Sequence, residues 1–273
     1  MEQFKTRKPI VAGQFYLASP ERLKNQIETL IDKKAAKLDV LACILPHAGY
    51  MYSGGVAAET ASCINIKDKI ILLGPNHTGN GAKFSIMSEG VWQTPLGEIK
   101  IDSNLAKKIL RRSRYLEEDF LAHLDEHSLE VELPFLQFFK ADFEIVPIAV
   151  FPEDLEVLKE IGKEIADVIK ESGIKDSTLI VASSDMTHYE SQGSAQMKDK
   201  EAIQAILELN ENKLMERVLR LNISMCGYAP VIIMLSAAKQ LGASSARLIK
   251  YQTSGDVTGD FDSVVGYAGI IIN

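Results

Sequence analysis

Leu41-Ala42-Cys43-Ile44-Leu45-Pro46-His47-Ala48-Gly49-Tyr50 is the stretch from which the fold is read. Five apolar residues in an unbroken run describe a strand buried on both faces, and the proline, histidine and glycine that follow end it abruptly. Such strands belong to parallel sheets covered by helices, which form their sites at strand carboxyl ends. The design recurs at Ile70-Ile71-Leu72-Leu73-Gly74-Pro75-Asn76-His77 and at Leu179-Ile180-Val181-Ala182-Ser183-Ser184-Asp185-Met186-Thr187-His188. Three of the chain's five histidines therefore stand just past a hydrophobic run.

Outward from these runs, Glu144 to Val150 reads as a further strand, and Arg247 to Gln252 and Val264 to Ile272 as closing strands. Residues 83 to 101 break into short strands around turns, a local meander inserted into the sheet. Residues 8 to 18 read as an edge segment laid on the core. Helical periodicity fills the intervals. Ser19-Pro20 opens a helix with Leu23, Ile27, Leu30 and Ile31 on one face. Others run from Gly54 to Ser62, from Asp102 or Ser103 to about Arg112, and from Pro152 to Ser172. Three more are expected near Met197 to Leu209, Lys213 to Leu221 and Ala229 to Leu241. Pro134 predicts a bend in the helix that follows the loop from His123. With no linker, low-complexity tract or repeat, residues 1–273 read as a single α/β domain: a mostly parallel central sheet with helices on both faces.

Composition narrows the classes. The 273 residues are 46% hydrophobic and 25% charged, with a formal net charge of -7. That balance excludes general nucleic-acid or anionic-membrane binding. The one basic cluster, Lys107, Lys108, Arg111, Arg112 and Arg114, reads as a solvated helix face. The polar opening, Met1 to Lys8, does not resemble a signal peptide, and no run approaches the roughly 20 apolar residues of a membrane span. Three cysteines without repeating spacing argue against a disulfide framework and for a reducing cytoplasm.

His47 and His77, at equivalent ends of strands read as adjacent and each flanked by proline and glycine, point to two imidazole ligands on one metal ion. A third ligand is open among Cys226, Asp185, Asp256, Asp262 and the remaining histidines. Cys226 stands in Met225-Cys226-Gly227, before a helix start that favours thiolate; Cys43 and Cys63 lie in apolar elements and read as core. Asp185 and His188 form an Asp-x-x-His pair suited to orienting an imidazole and moving a proton. His127 reads as a further pocket group and His123 as peripheral; His-Leu-Asp-Glu-His does not match a zinc-protease helix. Ser183 and Ser184 lack a nucleophile elbow. Tyr50, Tyr52, Trp92 and Tyr228 are candidates for the pocket wall.

Taken together, Pro46-His47-Ala48-Gly49-Tyr50, Gly74-Pro75-Asn76-His77, Glu126-His127-Ser128-Leu129-Glu130, Ser183-Ser184-Asp185-Met186-Thr187-His188 and Met225-Cys226-Gly227 resemble, in order, the motifs of the Memo family (mediator of cell motility; AmmeMemoRadiSam system protein B in prokaryotes). The resemblance spans nearly the whole chain. It implies a fold like that of the class III extradiol dioxygenases, with His47, His77 and Cys226 as metal ligands and Asp185, His188 and His127 lining the same pocket. The implied cofactor is one transition metal ion, iron(II) first, with copper or zinc as alternatives; the thiolate departs from the dioxygenases' carboxylate and softens the site. The expected activity is non-haem metal redox chemistry on an unidentified small molecule. The alternatives are a scaffold that binds a peptide or protein partner in a vestigial metal pocket, and a metal-assisted hydrolase. Memo proteins are also associated with phosphotyrosine peptides.

Overall fold

The structure, a computed structural model, describes residues 6–273. The polar opening read as lacking a signal peptide falls largely outside that range. Along the first half, β1 (Thr6–Arg7) and α1 (Pro20–Leu30) precede β2 (Ala42–Leu45), α2 (Gly54–Ser62) and β3 (Lys69–Pro75). Next come β4 (Phe84–Ile86), β5 (Val91–Thr94), β6 (Gly97–Ile101), α3 (Ser103–Arg112), β7 (Glu117–Glu118), α4 (Leu121–Leu124) and α5 (Leu133–Phe139). The second half holds β8 (Glu144–Val150), α6 (Leu155–Glu171), β9 (Thr178–Ser183), β10 (His188–Glu190), α7 (Gln192–Leu207) and α8 (Glu211–Arg220). It closes with α9 (Tyr228–Gln240), β11 (Ala246–Thr253), α10 (Gly255–Thr258) and β12 (Val264–Ile272).

The strands form one mixed sheet, ordered β1-β5-β6-β8-β3-β9-β2-β12-β10, with β11 paired to β12 and β4 to β7 and β8. Its centre, β6-β8-β3-β9-β2, is parallel throughout, and antiparallel pairs flank it on both sides. The central strands are the apolar runs of the sequence, and β2 and β9 are buried at every position. Both faces are covered. Gly266 and Gly269 of β12, three residues apart and so on opposite faces, meet Asp199 of α7 and Thr60 of α2 respectively. The apolar face of α6 packs on α9, which is buried along nearly its whole length and lies on β9, β3 and β2.

Two expectations are corrected here. The strands that carry His47 and His77 are not neighbours, because β9 lies between them. The chain steps outward from β2 to β3 to β8, then returns to place β9 in the gap left between the first two. Such a reversal is where open α/β sheets leave a crevice at their carboxyl ends. Pro134 does not bend a helix; it occupies the first turn of α5, where its missing N–H would have no intrahelical acceptor. Elsewhere the boundaries differ in small ways: α6 starts at Leu155 rather than Pro152, and α7 at Gln192 rather than Met197.

Candidate metal centre

The site is assembled at the carboxyl ends of β2, β3 and β9, together with two loops that cross them. His47 follows β2 by two residues and is buried. Its backbone N–H donates to Asp185 Oδ1 at 2.9 Å, its Nδ1 lies 2.7 Å from Ser183 Oγ, and its Nε2 lies 3.3 Å from Cys226 Sγ. His77 follows β3, with a side chain 34% exposed. Glu126 holds it twice, accepting the His77 backbone N–H at 2.5 Å and facing Nδ1 at 2.9 Å, and also accepts Ser128 N–H at 2.8 Å. The loop of Glu126 and Ser128 can lie this close because β3 carries Gly74, where a Cβ would collide with Ser128 and Leu129.

Cys226 arrives from the loop before α9. Gly227 seats it: a Cβ there would collide with the Ser183 carbonyl and the Ser184 side chain, so only glycine lets the loop rest on the end of β9. Asp185 N–H points at Cys226 Sγ from 3.3 Å. One ligand atom from each of His47, His77 and Cys226 lies within 4.8 Å of the other two. A tetrahedral ion with about 2.1 Å bonds to nitrogen and 2.3 Å bonds to sulfur separates such donors by roughly 3.6 Å, so the trio fits with small adjustment. Two imidazoles and a thiol are also the donor types that transition metals take.

His77, Glu126 and His127 form a second cluster of this kind. Its carboxylate is already committed to His77 and to two backbone N–H groups, and the His77 and His127 rings stack at 4.9 Å and 18°. That arrangement is an ion-pair hub behind a candidate ligand, His77.

Electrostatics separate the groups. Burial, reinforced by the neighbouring imidazoles of His77, His127 and His188, drives the His47 pKa well below that of free imidazole, so it is neutral. Burial opposes a charge on His77, but the hydrogen bond and charge of Glu126 outweigh it and raise the pKa. Glu126 moves the other way: burial is overcome by His77 and the pKa falls to about 2. Burial and the Asp185 carboxylate push the Cys226 thiol up. The expected thiolate at a helix start is therefore corrected. Desolvation outweighs the partial charge at the start of α9, and ionisation of this sulfur calls for a cation beside it.

Asp185 is buried, and its pKa rises to about 6; burial is the largest cause, offset in part by His188 and by the His47 and Ala48 N–H groups. An acid whose pKa is raised on folding holds its proton more tightly in the folded chain. Stability therefore falls as pH rises from about 4 to about 6 and stays low above that, by about 3 kcal/mol in all. Metal-free Asp185→Asn, which keeps an oxygen to accept His47 N–H, is expected to be more stable than wild type at pH 8, with the difference vanishing near pH 4. Urea midpoints at both pH values check this; equal stability at pH 8 contradicts it.

A cavity of about 700 Å³ opens over these groups. His47, His77, His127, Asp185, His188 and Cys226 all line it. The His188 backbone N–H donates to Ser224 Oγ at 2.7 Å and its Nδ1 faces Ser224 O at 2.9 Å, so Nδ1 carries the hydrogen and Nε2 is basic. The walls are Phe15, Met51, Tyr52, Tyr189, Val265 and Tyr267. Of the four aromatic candidates only Tyr52 takes part. Tyr50 is buried and stacked on Phe135, Trp92 lies in the core beside His123, and Tyr228 does not reach the cavity. Tyr189, 78% exposed at the mouth, sits in the left-handed backbone region at φ 58°, strain of a kind that gathers at functional sites.

The remaining candidates lie elsewhere. His123 is buried and bound to Ser85 through Nε2. Asp256 caps the turn at Thr253, and Asp262 is exposed. Cys43 is core, and Cys63 closes α2. Glu126 stands inside a motif singled out for its histidine and was missed as a partner of His77. Ser183, weighed as a nucleophile, instead faces the back of His47.

A family model described as Memo-like protein matches residues 7–271. A MEMO1 family protein of Methanosarcina mazei is 46% identical over 268 residues, covering 97% of this chain and 98% of its own. One from Methanopyrus kandleri is 42% identical, covering 97% and 98%. Another from Aquifex aeolicus is 42% identical, covering 98% and 99%. Among solved structures, an uncharacterized protein from Escherichia coli K12 has a TM-score of 0.56 at 14% identity, covering 84% of this chain and 98% of that one, a likeness of fold alone.

Proposed function

From the premise that this chain belongs to the Memo family, we propose that it binds one transition metal through His47, His77 and Cys226 and uses it in redox chemistry on a small apolar or aromatic molecule. The observation that carries this reading is the convergence of two imidazoles and a thiol, from three distant parts of the chain, on the floor of an apolar-walled cavity. A bound iron(II) ion, or copper in its place, supplies one-electron chemistry there. The soft thiolate makes copper(I) and zinc competitors of iron.

The chain's own groups have separate tasks. Glu126 orients His77 by holding its Nδ1, and Asp185 N–H favours sulfur in its ionised form. His188 takes or delivers a proton at Nε2, with Ser224 fixing its tautomer. Asp185, with a pKa of about 6, exchanges a proton close to neutrality. Phe15, Tyr52 and Tyr267 exclude water and offer ring faces to a substrate. Among the described residues lining the cavity there is no lysine or arginine, which favours a neutral ligand over a phosphorylated one.

A second reading has its own support. Met51 and Tyr189, 65% and 78% exposed at the mouth, suit docking of an apolar side chain from a peptide partner. Anaerobic purification followed by elemental analysis and oxygen uptake separates the possibilities. About one iron or copper per chain with metal-dependent uptake is expected. Zinc without uptake favours hydrolysis. No metal, with partner capture unchanged in His47→Ala, favours the scaffold.

A further inference from the structure

Glu132 is fully buried; among the described residues it makes no salt bridge, and its Oε2 has no hydrogen-bond partner. Its Oε1 lies 2.8 Å from Ser183 Oγ. The same hydroxyl lies 2.8 Å from the Ser128 carbonyl and 2.7 Å from His47 Nδ1. We propose that Glu132 is a neutral carboxylic acid acting as a positioning residue, which holds His47 through Ser183 in the tautomer that leaves Nε2 free for a metal.

The argument is an inventory of hydrogens. A hydroxyl has one hydrogen to give and two lone pairs to receive. The Ser128 carbonyl can only accept, so it must take the Ser183 hydrogen or go without. Were Glu132 ionised, it would compete with Ser128 for that single hydrogen, and one buried acceptor would be left empty. A dry, unpaired carboxylate would remain as well, a costly state that proteins avoid by protonation.

With the proton on Glu132 Oε1, the conflict disappears. Glu132 donates to Ser183, Ser183 donates to Ser128 O, and the second lone pair of Ser183 receives His47 Nδ1–H. Only a neutral carbonyl oxygen, Oε2, stays without a partner. The alternative in which Ser183 donates to His47 Nδ1 leaves Ser128 O empty and turns a hydrogen toward the Cys226 sulfur. Burial, the largest cause, and the nearby Asp185 charge raise the Glu132 pKa well above that of free glutamate, which agrees with the geometry.

The two ligand histidines are therefore backed differently. His77 leans on an ionised carboxylate, Glu126; His47 leans on a neutral relay. Carboxylate backing strengthens an imidazole donor and adds negative charge, whereas the relay fixes orientation with no charge. Of three glutamates in the seven residues from 126 to 132, one charges the site and one orients it neutrally. The third, Glu130, is paired with Arg7 away from it.

Matched substitutions test the assignment, which rests on the metal reading only for its affinity arm. Glutamine at 132 can donate from its amide just as the acid does, so Glu132→Gln should bind cobalt(II) like wild type. Glu126→Gln and Ser183→Ala should each bind it roughly 10–100-fold more weakly. Glu132→Gln weakened as far as Ser183→Ala overturns the proposal. Infrared spectra of the metal-free protein give a second measurement. At pH 8, where Asp185 is ionised, a carbonyl band of a protonated carboxyl, sensitive to D2O, is expected in wild type and absent from Glu132→Gln. No band in wild type, or a band that survives in Glu132→Gln, overturns it. Should that variant not fold, the wild-type band and its displacement in Ser183→Ala decide. Failure of wild type to bind cobalt(II) would count against the metal reading, while the infrared arm would still judge the relay.

Discussion

His77→Ala is expected to reduce metal bound by the purified protein from about one equivalent to background, a loss in affinity beyond the roughly 10–100-fold typical of an outer partner. His77 is the ligand candidate most open to the cavity, and it alone is held at both backbone and ring by one carboxylate. Alanine removes one of three donors and leaves two, His47 and Cys226, to hold an ion by themselves. The sulfur suffers as well, because its thiol is pushed up by burial and ionises only against a cation. Elemental analysis and cobalt(II) titration, with circular dichroism as a folding control, check the expectation. His123→Ala is the matched comparison: that imidazole is equally a histidine of the Glu126 segment, but it lies in the core and should leave metal content unchanged. Stoichiometric metal retained by His77→Ala would remove the ligand assignment.

The second large effect is on stability. Arg7 and Glu130 are both fully buried and paired. Glu130 also accepts Ile10 N–H at 2.9 Å, Val11 N–H at 3.1 Å and Tyr16 O–H at 2.5 Å. Arg7 donates from Nε to His123 O at 3.0 Å and from Nη2 to Glu126 O at 2.6 Å, with its guanidinium 4.6 Å over the Trp92 ring. The pair ties the amino-terminal segment to the Glu126 loop. Arg7→Ala leaves a buried carboxylate and three carbonyls, those of Lys8, His123 and Glu126, short of partners and should cost about 3–5 kcal/mol, read as a lowered urea midpoint at pH 7. Metal affinity should fall with it, since the Glu126 backbone loses an anchor. A loss under about 1 kcal/mol would mean that water or a local rearrangement meets these groups.

Much of the architecture was legible before any coordinates. Apolar runs such as Ile70-Ile71-Leu72-Leu73 and helix signals such as Ser19-Pro20 act within a few residues, and the elements formed where those patterns lay. Less legible were features set by what packs against an element. Pro134 starts a helix because the chain before it is a turn, and Tyr50 turns into the core to stack on Phe135. Glu126 and Ser183 stood within quoted motifs, yet their partners are 49 and 136 residues away.

The sequence by itself determined the longer elements, the family, and the delivery of His47, His77 and His188 to the ends of hydrophobic runs, because periodicity and chain breakers are local properties; the short β7, β10, α4 and α10 carry no such signal. Strand order belongs to the tertiary structure. Only when β9 slots between β2 and β3 do Asp185 and Ser183 reach the backbone and ring of His47, and only the seat at Gly227 brings Cys226 beside that ring. The charge states were likewise decided there. Glu126 and Glu132 are chemically identical in the sequence; the His77 imidazole ionises the first against its burial, while burial and the Asp185 charge raise the pKa of the second.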